Sequence, residues 1–111
     1  MIHIHKEYEN SLLVILNVEE GTLANADEFK AELIKLFDKY HKRIVLNMEQ
    51  MEYMDSSFLG ALVSALKHVI SLRSDIVLVG LRKDIAELFA LIRLDKVFKI
   101  YGSFKETPVY C

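Results

Sequence analysis

The stretch that decides the fold reads Met54-Asp55-Ser56-Ser57-Phe58-Leu59-Gly60, an acid and two serines followed by an apolar run. From Leu59, apolar residues recur at three- and four-residue steps up to about Arg73, which predicts an amphipathic helix. Serine and aspartate are favoured at the N-cap because their side-chain oxygens accept hydrogen bonds from the free N–H groups of the first helical turn. Asp55-Ser56-Ser57 therefore predicts the start of a long helix.

Buried strands are predicted on both sides of this helix. Arg43–Met48 precedes it and Ile76–Gly80 follows it, and both are short, nearly continuous apolar runs. Such runs are typical of strands covered on both faces. A third helix is predicted at Ile85–Ile92, and the alternation of Lys96–Tyr101 predicts a last strand.

The N-terminal third of the chain predicts two more strands and a helix. Ile2–Lys6 alternates at period two, Leu12–Leu16 is apolar throughout, and Glu9-Asn10-Ser11 between them predicts a hairpin turn. Ala26–Tyr40 then has apolar residues at helical spacing, with Asn25 as the predicted N-cap.

The predicted element order is therefore β-β-α-β-α-β-α-β. Apolar strands that alternate with helices favour an α/β fold with a largely parallel sheet. With 111 residues, of which 52% are apolar, the chain is long enough for one domain with its own core. We expect a single domain over residues 1–111.

Charge and composition argue against several classes of partner. Fourteen basic and 16 acidic residues give a net charge of -2, so no basic surface for nucleic acid is expected. No apolar run approaches the ~18 residues that span a bilayer, and we expect no membrane insertion. Cys111 is the only cysteine, which excludes an intrachain disulfide and favours a cytoplasmic location.

Patterns that indicate an enzyme, a cofactor or a metal site are missing from the sequence. A serine nucleophile needs a positioned base, and neither a Gly-x-Ser-x-Gly elbow nor an evident base is found. No glycine-rich phosphate loop is present. His3 and His5 would share one face of a strand, but no third metal ligand can be identified. We expect a protein that is not an enzyme and holds no cofactor or metal.

The stretch from Asp55 to Gly60 resembles the Asp-Ser-Ser/Thr-Gly-Leu-Gly motif of STAS domains of the anti-sigma factor antagonist type. The resemblance extends to the strand Ile44-Val45-Leu46, to Ile76–Val79 and to the closing segment Leu94–Ile100. It implies a single STAS domain, an α/β fold with a mostly parallel mixed sheet of about five strands packed against helices.

Three positions depart from the pattern of that family. Phe58 replaces the first glycine of the motif, and Asn47 stands where the preceding strand often ends with aspartate. The family often has Gly-x-hydrophobic-Asp at the end of its second strand, whereas the corresponding stretch of this chain is Glu19-Glu20-Gly21-Thr22. None of the three departures affects the expected fold, but they bear on recognition of the usual partner.

The resemblance also implies a switch. In that family the serine after the aspartate is phosphorylated by a kinase that doubles as the anti-sigma factor, and the unphosphorylated antagonist binds this kinase and frees the sigma factor. Ser56 is then the phosphoacceptor, with neighbouring Ser57 left open as the alternative. The expected partner-binding residues are Thr22, Asp55, Ser57, Phe58, Leu59 and Gly60.

The partner implied by the resemblance is a serine kinase of the GHKL type, which supplies ATP and Mg²⁺, together with a phosphatase. A phosphate would add about -1.5 to -2 charges to a surface that already holds Glu49, Glu52 and Asp55. A monomer or weak dimer is expected. The alternative is a scaffold without a switch, or an accessory subunit of a signalling complex or transporter ATPase, with Phe58 as a hydrophobic anchor and Ser56 as a helix cap.

Overall fold

A computed structural model of the protein describes residues 1–107; Cys111, the only cysteine of the sequence, lies outside the described residues. Within residues 1–107, ten helices and strands and two short 3-10 helices follow one another. In order they are β1 (Ile2–Glu7), β2 (Ser11–Leu16), β3 (Glu20–Gly21), α1 (Leu23–Tyr40), β4 (Arg43–Asn47), β5 (Tyr53–Met54), α2 (Ser56–Ser71), β6 (Ile76–Val79), α3 (Lys83–Leu91), a 3-10 helix (Leu94–Lys96), β7 (Lys99–Tyr101) and a 3-10 helix (Phe104–Glu106).

The main sheet has five strands in the spatial order β1-β2-β4-β6-β7. β1 pairs antiparallel with β2 through the predicted hairpin, and the other three pairings are parallel. The predicted α/β fold with a mostly parallel, mixed sheet is confirmed. The pairing register shifts between Ile4 and Lys6, which places His5 at a β-bulge and interrupts the predicted alternation of His3 and His5.

Both faces of the central strands are buried, as their continuous apolar runs predict. One face forms the main core with the helices, and Leu12, Leu46 and Leu78 are fully buried there. The opposite face forms a smaller cluster that three aromatic side chains cover. Its members are Leu13, Val45, Val77 and Val79, under Tyr8, Tyr101 and Phe104.

Helices α1 and α2 pack side by side over the main core, and their N-termini meet. β3 and β5 pair in parallel, Glu20 with Tyr53 and Gly21 with Met54. Because β3 lies just ahead of α1 and β5 just ahead of α2, this pairing starts both helices at the same edge of the molecule.

Two element starts and two short strands differ from the sequence prediction. The N-cap of α1 is Thr22 and not Asn25, because Asn25 is the third helical residue and accepts the Thr22 N–H in a capping box. The strand predicted from Lys96 begins only at Lys99, because a 3-10 helix occupies Leu94–Lys96. The two-residue strands β3 and β5 were not predicted.

The side chain of Phe58 is fully buried and stacks on Phe29, with ring centroids 4.4 Å apart. A Cβ atom at Gly21 would lie 2.6 Å from the Phe58 ring. The Phe58 ring, which stands where the family motif has glycine, therefore occupies the space that a side chain at Gly21 in β3 would need. Phe58 does not reach the surface, so its expected roles as a partner contact and as a hydrophobic anchor are both wrong.

We predict that Gly21→Ala lowers the free energy of unfolding by about 2 kcal/mol, because its methyl group overpacks against Phe58. Phe58→Ala lowers it by about 3–5 kcal/mol through the cavity it leaves. In the Phe58→Ala background, Gly21→Ala is nearly neutral, since the clash is gone. Urea unfolding of the four proteins measures this coupling. Gly60→Ala is the control, because a Cβ there meets nothing within 4 Å; additive effects at Gly21 and Phe58 would contradict the prediction.

Candidate functional site

The carboxylate of Asp55 links the first turns of α1 and α2. Its Oδ1 accepts a hydrogen bond from the Phe58 N–H at 2.9 Å, as the N-cap of α2. Its Oδ2 accepts from the N–H of Leu23, the first residue of α1, at 3.0 Å. The N–H of Asp55 itself donates to the Gly21 carbonyl at 2.9 Å. The negative charge of Asp55 therefore interacts favourably with the positive N-terminal ends of two helix dipoles.

Thr22 completes this junction on the side of α1. Its Oγ1 accepts the Ala24 N–H at 3.2 Å, and its own N–H donates to Oδ1 of Asn25 at 2.9 Å. The side chain of Thr22 is therefore committed to capping.

Ser56 is the first residue of α2, and its side chain is exposed. Among residues 1–107, its hydroxyl has no hydrogen-bond partner, and the backbone N–H groups of Ser56 and Ser57 have no acceptor. Ser57 is half-buried, one position further into the helix. The Ser56 hydroxyl is thus open to solvent beside two free N–H donors, the arrangement that favours an anionic group at a helix start.

The other expected contacts run along α2 from Ser56. Leu59 is half-buried, and Gly60 is exposed at the surface of the helix. Both line a groove together with Ser56. Four of the predicted site residues therefore lie together at the helix junction: Thr22, Asp55, Ser56 and Ser57. Leu59 and Gly60 lie further along α2, and Phe58 is buried in the core.

Two exposed apolar side chains beside the junction were missed by the sequence analysis. Leu23 is 74% exposed and Tyr53 is 53% exposed. Leu23 donates its N–H to Asp55, and Tyr53 lies two residues before it. The sequence pattern does not show that Leu23 and Tyr53 are exposed. An apolar residue at a helix start or in a strand is ordinarily expected to be buried.

Acidic side chains surround the junction. Glu19, Glu20 and Glu52 are exposed, and the Glu19 carbonyl accepts the N–H groups of Glu52 at 2.7 Å and of Tyr53 at 3.1 Å. We call the surface formed by Leu23, Glu52, Tyr53, Asp55 and Ser56 the Ser56 surface. It combines exposed apolar area with negative charge, which suits a protein partner that carries basic residues.

Within residues 1–107, no three His, Cys, Asp or Glu side chains converge in a way that could hold a metal ion. No helix in the same part of the chain has both the length and the apolar character needed to cross a membrane.

Comparison with known proteins matches the STAS domain family to residues 4–107. The chain belongs to the STAS domain family. A candidate anti-sigma factor antagonist from Thermotoga neapolitana is 28% identical over 96 residues, which cover 86% of this chain and 85% of that protein. The crystal structure of a candidate anti-sigma factor antagonist from Thermotoga maritima has a TM-score of 0.73 at 31% identity, covering 85% of this chain and 82% of that one. The resemblance read from Asp55–Gly60 is confirmed.

The fold also matches that of SpoIIAA, an anti-sigma factor antagonist whose structure is known in two forms. The unphosphorylated form has a TM-score of 0.70 and the phosphorylated form, from Bacillus, 0.68, each at 13% identity. At this identity, the likeness shows the shared STAS fold alone. The fold class expected from the sequence is thereby confirmed a second time.

We predict that Asp55→Ala lowers the free energy of unfolding by about 2 kcal/mol, because it removes a helix cap and the second acceptor at Leu23. In Asp55→Asn, the Oδ1 cap is retained and the bond from Leu23 is lost. Hydrogen exchange of the Leu23 amide should therefore accelerate in both variants, and that of Phe58 only in Asp55→Ala.

Ser56→Ala is the matched control for these variants. Its exposed side chain makes no hydrogen bond within the described residues, so the free energy of unfolding should change by less than about 0.5 kcal/mol. Equal stability of Asp55→Ala and Ser56→Ala would show that the carboxylate does not hold the two helices together.

Proposed function

We propose that the protein is an anti-sigma factor antagonist that binds an anti-sigma factor with GHKL-type serine kinase activity and is released when that kinase phosphorylates Ser56. The observation that carries the proposal is the exposed Ser56 hydroxyl in the first turn of α2, next to a carboxylate already satisfied by two N–H groups. The family membership and the names of the relatives support it.

Accessibility favours Ser56 over Ser57 as the phosphoacceptor. A kinase must bring the hydroxyl to the γ-phosphate of ATP, and only an exposed side chain can enter its active site without local unfolding. Ser56 is exposed and Ser57 is half-buried. The bond to Phe58 commits Asp55 to the helix start, so it orients the turn that presents Ser56.

The switch acts through affinity and leaves the fold intact. A phosphate on Ser56 adds about -1.5 to -2 charges, which the helix N-terminus with its free N–H groups accommodates. The same charge joins Glu52 and Asp55 on the Ser56 surface. A partner whose contact is matched to the unphosphorylated surface meets excess negative charge and a bulky group where it needs close approach.

The remaining roles follow from this scheme. ATP and Mg²⁺ come from the kinase, and this chain contributes only the acceptor hydroxyl and the docking surface. A phosphatase that removes the phosphate from Ser56 would restore binding. The whole chain, residues 1–111, would act as one domain in the cytoplasm, where it meets its kinase.

We predict that Ser56→Asp weakens binding to the kinase by about 100-fold, corresponding to about 2.7 kcal/mol, because the added charge opposes a matched contact. The measurement is isothermal titration calorimetry with each GHKL-type serine kinase encoded in the genome of the source organism. The melting temperature of Ser56→Asp should equal that of the wild type.

Ser103→Asp is the matched control, because it adds the same charge at an exposed serine that directly precedes a 3-10 helix elsewhere on the protein. Its affinity for the kinase should stay within about twofold of the wild type, since its charge lies outside the contact. If Ser56→Asp and Ser103→Asp both bind like the wild type, the contact is a scaffold interaction without a switch.

A further inference from the structure

A groove runs along α2, away from the helix junction. Its walls are apolar, with Leu59 and Val63 from α2 on one side and Ile92 and Leu94, which follow α3, on the other. Ser56 lies at one end and Lys67 at the other. At a rise of 1.5 Å per residue, these ends are separated by about 16 Å along α2. The groove has a volume of about 450 Å³.

Gly60 lies in this groove and is not explained by the packing of the chain itself. A glycine inside a helix lowers stability relative to alanine. A Cβ at Gly60 would meet nothing within 4 Å among residues 1–107, whereas Gly21 is required by the Phe58 ring. The missing side chain leaves room on the surface of α2 for the close approach of another molecule.

The far wall of the groove leaves apolar area in solvent. Ile92 is 42% exposed, and its neighbour Leu91 is 80% exposed. Lys67 is exposed, and no acidic side chain within residues 1–107 pairs with it. The groove therefore offers apolar contacts along its length and one unpaired positive charge at its end.

We propose that this groove binds one amphipathic helix of the protein partner, about three turns long, with an Asp or Glu side chain that pairs with Lys67. The length of the groove matches three turns at a pitch of about 5.4 Å. A helix that packs into an apolar groove does so through side chains at i, i+4 and i+7. This inference rests on the proposed function, because the groove starts at Ser56.

Charge also determines the orientation of the bound helix. A phosphate on Ser56 would repel the C-terminal end of a helix, which carries partial negative charge, and would attract an N-terminal end. For phosphorylation to release the partner, the partner helix must place its C-terminus near Ser56 and its N-terminus near Lys67. An acidic residue in its first turn then meets Lys67 where acidic residues also favour helix formation. The bound helix lies antiparallel to α2.

The test uses a phage-displayed library of random 16-residue peptides, selected on the wild-type protein. We expect the enriched peptides to share apolar residues at i, i+4 and i+7, with Asp or Glu ahead of them. Their affinity should fall at least tenfold for Lys67→Glu and for Gly60→Leu, which fills the groove. A peptide with its acidic residue changed to Lys should recover binding to Lys67→Glu.

Lys35→Glu is the matched control, since Lys35 is exposed on α1 and pairs with no acid in the described part of the chain. It should bind the peptides like the wild type. Thermal melting checks the fold, and Gly60→Leu should melt no lower than the wild type.

Two results would overturn the inference. One is a selection that enriches no peptides with this pattern, or only peptides that bind Lys67→Glu and Gly60→Leu as tightly as they bind the wild type. The other is sedimentation showing a wild-type dimer that Lys67→Glu abolishes, which would make a second copy of the chain the occupant. The peptide test involves no kinase, so it can fail while Ser56→Asp still weakens kinase binding, and the reverse also holds.

Discussion

The arrangement of the candidate site depends on one carboxylate. Asp55 accepts hydrogen bonds from the first turns of α1 and α2, which begin 33 residues apart in the chain, at Leu23 and Ser56. Hydrogen bonds to a charged group contribute about 1.5–3 kcal/mol, more than neutral ones. Beneath this contact, the stacked rings of Phe29 and Phe58 hold the same two helices together. Ser56 is presented at a fixed place because both layers hold the turn in front of it.

Much of the fold could be predicted because burial imposes a period on the sequence. Parallel strands covered on both faces require continuous apolar runs, and Ile76–Val79 is such a run. β3 and β5 could not be predicted in this way. Each has two residues, too few to show alternation, and their pairing depends on the loops around them.

The error at Phe58 shows where sequence reasoning had a signal and did not use it. Phe58, Leu62, Leu66 and Val69 are spaced by four, four and three residues, so Phe58 belongs to the buried stripe of α2. The family motif, in which a glycine stands at this position, implied a surface contact for Phe58 instead. The cap of α1 was misassigned for a different reason, because Thr22 and Asn25 both suit an N-cap and the capping box uses both.

The sequence could not predict which apolar side chains around Ser56 are exposed to solvent. The Ser56 surface includes Leu23 and Tyr53, and Gly60 and Ile92 line the same groove. Contacts of this kind join segments that are distant in the chain and follow no local pattern. The motif located Ser56, the proposed phosphoacceptor, and the fold supplied the apolar area and the charge around it.

The most direct test of the account is phosphosite mapping by mass spectrometry on the protein isolated from its native cells, in growth and under stress. The account predicts phosphate on Ser56 in part of the population, with a fraction that changes between the two conditions, and none on Ser57. An unmodified Ser56 in both conditions, with the protein still bound to its partner, would contradict it.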